Sequence, residues 1–154
     1  MYLLDTNHCS QLLSGHPGLR RRIDELDGTP IATSTITVGE LFYMAFRSER
    51  QGPNLREIEA FLADLPVYTI DNAVARMYGQ VRTAAFAAFG PKERAKQRHT
   101  TIPQLGFDDN DLWIAAIALQ DRLIVATGDS DFGRIAEVTP LQHENWLTPE
   151  ATMR

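Results

Sequence analysis

The sequence predicts an α/β fold of three layers, with a central, mostly parallel sheet of four to five strands covered by helices on both faces. Three observations predict it. Short apolar runs alternate with longer segments whose apolar residues recur at helical spacing. Gly or Pro punctuates several junctions, at Gly28, Gly52-Pro53, Pro66 and Gly90-Pro91. The chain has 154 residues, 44% of them hydrophobic, which makes about one ordinary domain able to bury a real core. Strands separated by helices need right-handed crossovers, so the sheet is parallel and its ligands sit beyond the carboxyl ends of the strands.

Each element follows in order. Residues 2–4 read as a buried strand and 9–13 as a short helix. Residues 17–26 form a second, amphipathic helix, with Pro17 near its start and Gly28 after its end. Residues 30–33 are a strand. Ile36, Leu41, Met44 and Ala45 lie on one stripe of a helix over 36–46, and 55–65 form another beyond the Gly52-Pro53 break. Pro66 precedes a strand at 67–70. Val74, Met77, Val81 and Ala85 set a long helix from 72 to 89, stopped by Gly90-Pro91. Residues 90–106 are basic and lack periodicity, which predicts a mobile loop. A dense apolar helix follows at 111–120, then a strand at 123–127, a helical turn at 132–136 and a last strand at 138–141. There is no internal repeat or linker.

Composition excludes several classes. The longest apolar run, 112–119, is far below the about 18 residues that cross a bilayer. The start has no basic stretch, and Asp5 and Asn7 interrupt its apolar residues, so no signal peptide is expected and the protein is expected to be cytoplasmic. A single cysteine, Cys9, excludes an internal disulfide, and four scattered histidines give no zinc spacing. Any metal site must therefore be built mainly from oxygen. The net charge of −5 argues against a whole-surface polyanion binder but leaves local basic patches at Arg20 to Arg22 and at Lys92, Arg94, Lys96 and Arg98.

The acidic residues carry the functional signal. Asp5 ends the first strand, and Asp129 and Asp131 follow the strand at 123–127 in T-G-D-S-D-F. Glu40 is the one charged residue in ITVGELFYMAF, and Asp111 opens the apolar helix LWIAAIALQ. Each has a structural reading: an Asx turn at Asp5, a capping box from Thr37 to Glu40, Asp108 as a helix cap with Asp111 in the first turn, and a turn through GDSD. Converging at one rim, however, these carboxylates repel one another unless a hard divalent cation joins them. No G-x-G-x-x-G or P-loop motif offers to cradle a nucleotide. A HAD-type phosphatase wants a second Asp two residues after the first, and Asn7 stands there.

The order L-L-D-T-N, S-T-I-T-V-G-E-L, N-D-L-W-I-A-A-I-A and I-V-A-T-G-D-S-D-F resembles the PIN-domain nucleases, and within them the VapC-type toxins of bacterial toxin-antitoxin pairs. The match spans nearly the whole chain, one PIN-like domain over 1–147 with a tail at 148–154. The resemblance implies that Asp5, Glu40, Asp111 and Asp129 bind Mg²⁺ or Mn²⁺, with Asn7 and Thr127 in support and Asp131 as a further supporting acid. It implies an endoribonuclease that cleaves tRNA or rRNA with metal-activated water, a VapB-like antitoxin that neutralises it, and a homodimer. An inactive PIN-fold module that binds RNA or a partner is the alternative. Arg47, Arg82, Lys92, Arg94, Lys96 and Arg98 are the candidates for gripping RNA phosphates. Two features depart from the family pattern: His8-Cys9 stands where aliphatic residues are usual, with His8 expected to touch substrate or lie exposed, and two aspartates share TGDSDF.

Overall fold

The computed structural model describes residues 1–147; the tail expected at 148–154 lies outside the described residues. Its five strands, β1 (Tyr2–Leu4), β2 (Ile31–Ser34), β3 (Val67–Tyr68), β4 (Ile124–Ala126) and β5 (Gln142–Glu144), form one sheet in the order β3-β2-β1-β4-β5. Every pairing is parallel. The chain builds outward from β1 to β3 on one side, then returns to place β4 on the other side of β1. The strand order therefore reverses between β1 and β4, the place where a parallel sheet opens a crevice at its carboxyl edge.

Side-chain alternation along β1 divides the core in two. Leu3 faces a cluster with Ala32 and Val125 that is capped by α5 (Asn72–Phe89), α7 (Asp109–Asp121) and α8 (Ser130–Ala136). Tyr2 and Leu4 face the opposite cluster, with Ala126, Cys9, Leu19, Leu41, Ile58 and Trp146, under α1 (Thr6–Leu13), α2 (Pro17–Glu25), α3 (Thr35–Phe46) and α4 (Gln51–Ala63). This is the predicted three-layer α/β/α arrangement. Helix α7 is apolar around its middle because it lies between the sheet and α5, and every residue from Leu112 to Ala118 except Trp113 is buried there.

Four local expectations need correction. The first helix starts at Thr6, because Asp5 caps it by accepting from His8 N–H at 2.8 Å. Gly52-Pro53 does not break the chain; both sit in the first turn of α4, where a missing proline N–H leaves no helical bond unmade. The stretch 90–106 is not a featureless loop. It holds α6 (Arg94–Gln97) and a 3-10 turn (Pro103–Leu105), and Ile102 and Leu105 are buried in the core. Arg134 fastens it by donating to the carbonyls of Gly106 and Leu105 at 2.8 and 3.0 Å. The last strand is β5 at Gln142–Glu144, beyond the predicted 138–141, since a polar edge strand leaves little apolar pattern to read. By contrast α5 begins after the Asp71 cap and ends before Gly90, where a Cβ would lie 2.6 Å from Phe86 O.

Candidate active site

A cavity of about 380 Å³ opens at the switch point, walled by Asp5, Glu40, Asp108, Asp111, Asp129 and Asp131. Thr6, Asn7, Ser10 and Gln11 supply a polar wall from α1. These four stand at helical spacing on the face of α1 opposite the buried His8, Cys9 and Leu12. That polar stripe was the sequence signal for this wall, hidden when the helix is begun at Cys9.

Local folding places each carboxylate. Asp5 leaves β1 with its backbone N–H bonded to Ala126 O at 3.1 Å, so the ends of β1 and β4 are tied together. Its Oδ1 accepts from His8 N–H, and its Oδ2 accepts from the Thr127 hydroxyl at 2.5 Å. Thr127 Oγ1 in turn accepts from Asp129 N–H at 2.9 Å, linking the two strand tips through one hydroxyl. Asp129 caps α8 by accepting from Asp131 N–H at 2.8 Å, and Asp108 caps α7 by accepting from Asn110 N–H at 2.9 Å. Glu40 does not close a capping box. Ser34 caps α3 by accepting from Thr37 N–H at 3.1 Å. Glu40, one turn further along, reaches across to the Thr6 hydroxyl and to Asn110 Nδ2, the latter at 2.8 Å.

Oxygens of Asp111, Asp129 and Asp131 all lie within 4.8 Å of one another. The pKa of half-buried Asp111 is pushed up to about 8, first by burial and then by repulsion from Asp129, Asp108, Asp131 and Glu40. Burial and Asp129 also raise Asp131, against the pull of Arg134 at 3.5 Å. An all-oxygen set that crowds negative charge in this way fits a hard divalent ion such as Mg²⁺ or Mn²⁺. Asp131 stands inside the tight group of three rather than behind it, and Asp108, which the sequence suggested only as a cap, lines the same cavity.

His8 is neither exposed nor at the cavity wall. It is fully buried, with its ring edge against Trp146 at a centroid distance of 5.8 Å. Its Nε2 accepts from Trp146 N–H at 3.3 Å, which leaves the ring hydrogen on Nδ1. Nδ1 lies 3.3 Å from Asp5 Oδ1, near enough for attraction though not aligned as a hydrogen bond. Cys9 is buried too; its thiol is pushed up to about 12 by burial, which removes it as a nucleophile. No sequence signal could have found the His8 contact, since Trp146 lies 138 positions away.

The basic candidates do not line the acidic cavity. Arg47 lies over the ring of Tyr43, Lys96 pairs with Glu93 at 3.1 Å, and Lys92 is exposed. Arg82, Arg94 and Arg98 line a different cavity.

Comparison with known proteins places this geometry in a family. Residues 2–138 match the model of the PIN domain. The tRNA(fMet)-specific endonuclease VapC of Shigella flexneri is 30% identical over 146 residues, covering 94% of this chain and 97% of the relative. Among solved structures, the chain resembles one in VapBC2 from Rickettsia felis bound to a promoter DNA fragment, with a TM-score of 0.73, 26% identity and coverage of 94% and 98%. DNA-bound VapBC from Salmonella typhimurium gives a TM-score of 0.73 at 27% identity, covering 94% of this chain and 97% of that one. This chain belongs to the PIN-domain family, among its VapC ribonucleases.

Proposed function

We propose that this protein is a divalent-metal-dependent endoribonuclease, the toxin of a VapBC-type pair, and that its substrate is a structured RNA such as a tRNA. The observation that carries the reading is the convergence of six carboxylates on one cavity at the sheet's switch point. Family membership and the printed activity of the Shigella flexneri relative support it. Asp111, Asp129 and Asp131 would hold Mg²⁺ or Mn²⁺, with Asp5 and Glu40 facing the same space. When bound, such an ion lowers the pKa of a water and offsets charge on the phosphodiester oxygens.

The chain's own groups do the rest. Thr127 and His8 N–H fix the Asp5 carboxylate, and Thr6 and Asn110 fix Glu40, so neither acid spends rotamer freedom when a ligand arrives. Asn7 and Ser10 offer amide and hydroxyl groups from α1 to the RNA backbone.

A VapB-like antitoxin fits the surface beside the cavity. Tyr43 and Phe46 are 60% and 59% exposed on α3, and Met44 borders both the acidic cavity and an adjoining groove of about 330 Å³ between α1, α3 and α4. An amphipathic helix in that groove could present a basic side chain to the carboxylates. Homodimer formation is a separate part of the proposal. The apolar run A-A-F-A-A-F at 84–89 adds little to it, because Ala85 is buried and Phe86 and Phe89 pack on the core. Among the described residues no helix is long and apolar enough to cross a membrane.

The test is RNA cleavage in Mg²⁺ or Mn²⁺ together with growth arrest on expression. Asp5→Asn is expected to lower cleavage by about a hundredfold or more and to relieve arrest. Undiminished cleavage by Asp5→Asn refutes the mechanism, and a wild-type protein that binds RNA and metal without cutting is the inactive module instead.

A further inference from the structure

The described residues hold a second concave site, of opposite charge to the first. This cavity, about 540 Å³, lies between α5 and α6, with Arg82, Thr83 and Phe86 on one side and Arg94, Gln97 and Arg98 on the other. No carboxylate stands in its wall. Ion pairs do form elsewhere, between Arg22 and Glu144 at 3.3 Å, Lys96 and Glu93 at 3.1 Å, and Arg134 and Asp131 at 3.5 Å. Among the described residues no ion pair forms at Arg82, Arg94 or Arg98.

The cavity is built rather than incidental. Arg82 Nη1 donates to Tyr78 OH at 2.9 Å, and its guanidinium lies 5.9 and 5.8 Å from the rings of Tyr78 and Phe86, which hold it on the α5 wall. Gln97 Nε2 donates to Pro91 O at 2.7 Å and so fixes the α6 turn that carries Arg94 and Arg98. Three guanidinium groups around one hollow without counter-charge repel one another, and a phosphate anion relieves that repulsion through paired N–H donors. The hollow is larger than a lone phosphate needs, and Phe86 gives its wall an aromatic ring.

Its position relates it to the acidic site. Tyr78 OH donates to Asp109 Oδ1 at 2.6 Å, and Asp109 shares the first turn of α7 with Asp111. Arg82, one helical turn beyond Tyr78, donates to the same hydroxyl, so one chain of hydrogen bonds runs from the cationic hollow to the first turn of α7. An acidic catalytic cavity on a chain of net charge −5 repels RNA, and a neighbouring cationic hollow offsets this.

We propose that the Arg82, Arg94 and Arg98 cavity is a distal phosphodiester-binding subsite, which holds single-stranded RNA away from the bond placed at the acidic cavity. It rests on the ribonuclease reading above for its substrate. The experiment measures binding of a labelled single-stranded RNA of about twelve nucleotides to the full chain in EDTA, over a range of salt. Arg94→Gln/Arg98→Gln is expected to weaken binding by about tenfold or more and to flatten the log K against log salt slope by about 0.7 per lost phosphate contact. Arg20→Gln/Arg21→Gln removes the same charge elsewhere and is expected to change binding by less than about twofold. Equal losses in both double variants, or none in the first, overturn the subsite. Displacement of the RNA by orthophosphate at equal phosphate concentration also overturns it, as the mark of a free-anion site. Because no cleavage is needed, loss of binding in the cavity variant of a protein that fails to cut RNA would retain the subsite and refute only the nuclease reading.

Discussion

Replacing Asp111 by Asn should make the metal-free protein more stable at neutral pH, and the metal-bound protein less so. Asp111 is raised from 3.8 to about 8, chiefly by burial and then by Asp129, Asp108, Asp131 and Glu40. A raised carboxyl pKa means the folded state holds its proton more tightly than the unfolded chain does. Its favourable contribution is complete below about pH 4 and is lost as pH rises toward 8. Four pH units at about 1.4 kcal/mol each would exceed 5 kcal/mol, but the half-buried group still meets solvent, which reduces the penalty to about 2 kcal/mol. In a domain of this size that is about 4–8 °C in melting temperature. The assay is thermal unfolding of wild type and Asp111→Asn at pH 4 and pH 7.5, in EDTA and in Mn²⁺. In EDTA the variant should melt higher at pH 7.5, with the gap closing at pH 4. Saturating Mn²⁺ should invert the order, because an ion at a hundred times its Kd stabilises the wild type by about 2.7 kcal/mol. Equal melting temperatures in EDTA at both pH values, with equal Mn²⁺ shifts, would refute the reasoning.

Three other perturbations test the supports of the site. His8→Leu keeps apolar volume but removes the group at Asp5 and leaves Trp146 N–H unpaired; Mn²⁺ affinity by calorimetry should fall about tenfold, and His8→Asn, with an amide where Nδ1 stands, should recover most of it. If Asn recovers nothing, the His8 side chain does not position Asp5. Thr127→Val deletes the hydroxyl shared by Asp5 and Asp129 N–H, which should destabilise the fold by about 1–3 kcal/mol in urea unfolding, with Thr127→Ser restoring it. Arg134→Gln releases the carbonyls of Leu105 and Gly106 and the stacking on Phe107 at 3.9 Å; hydrogen exchange over 101–107 should accelerate before that of α7.

How much of this was legible in the sequence depended on the range of the interaction. The extent of α5 could be read because its apolar spacing is regular and Gly90 acts within one turn of the residues it stops. The sheet and its parallel sense followed from alternation alone, and so did attention to Asp5, Asp129 and the residues after each strand. The start of α1 was obscured because an Asp ending a strand and an Asp capping a helix look alike when one residue does both. Residues 90–106 look loop-like because their anchors, Ile102, Leu105 and Arg134, act by tertiary packing rather than by periodicity. The His8 and Trp146 contact and the Thr6 and Asn110 grip on Glu40 join distant segments and leave no local pattern.

The structural and functional readings of the acids also prove not to compete. Asp5, Asp108 and Asp129 are each the N-cap of a helix, of α1, α7 and α8, and each also lines the cavity. A carboxylate has two oxygens and about four lone pairs, so a cap that uses one oxygen leaves acceptor capacity for a cation. Three helix N-termini thereby point their partial positive charge toward the same place, which offsets part of the repulsion among the acids gathered there. Asp111 accepts no capping N–H, since it lies inside the first turn of α7 rather than before it. It is half-buried in the same field, and its pKa is the one pushed up to about 8. The caps thus let the fold assemble its carboxylates, while Asp111, which no cap uses, is the acid whose ionisation burial and the neighbouring charges oppose.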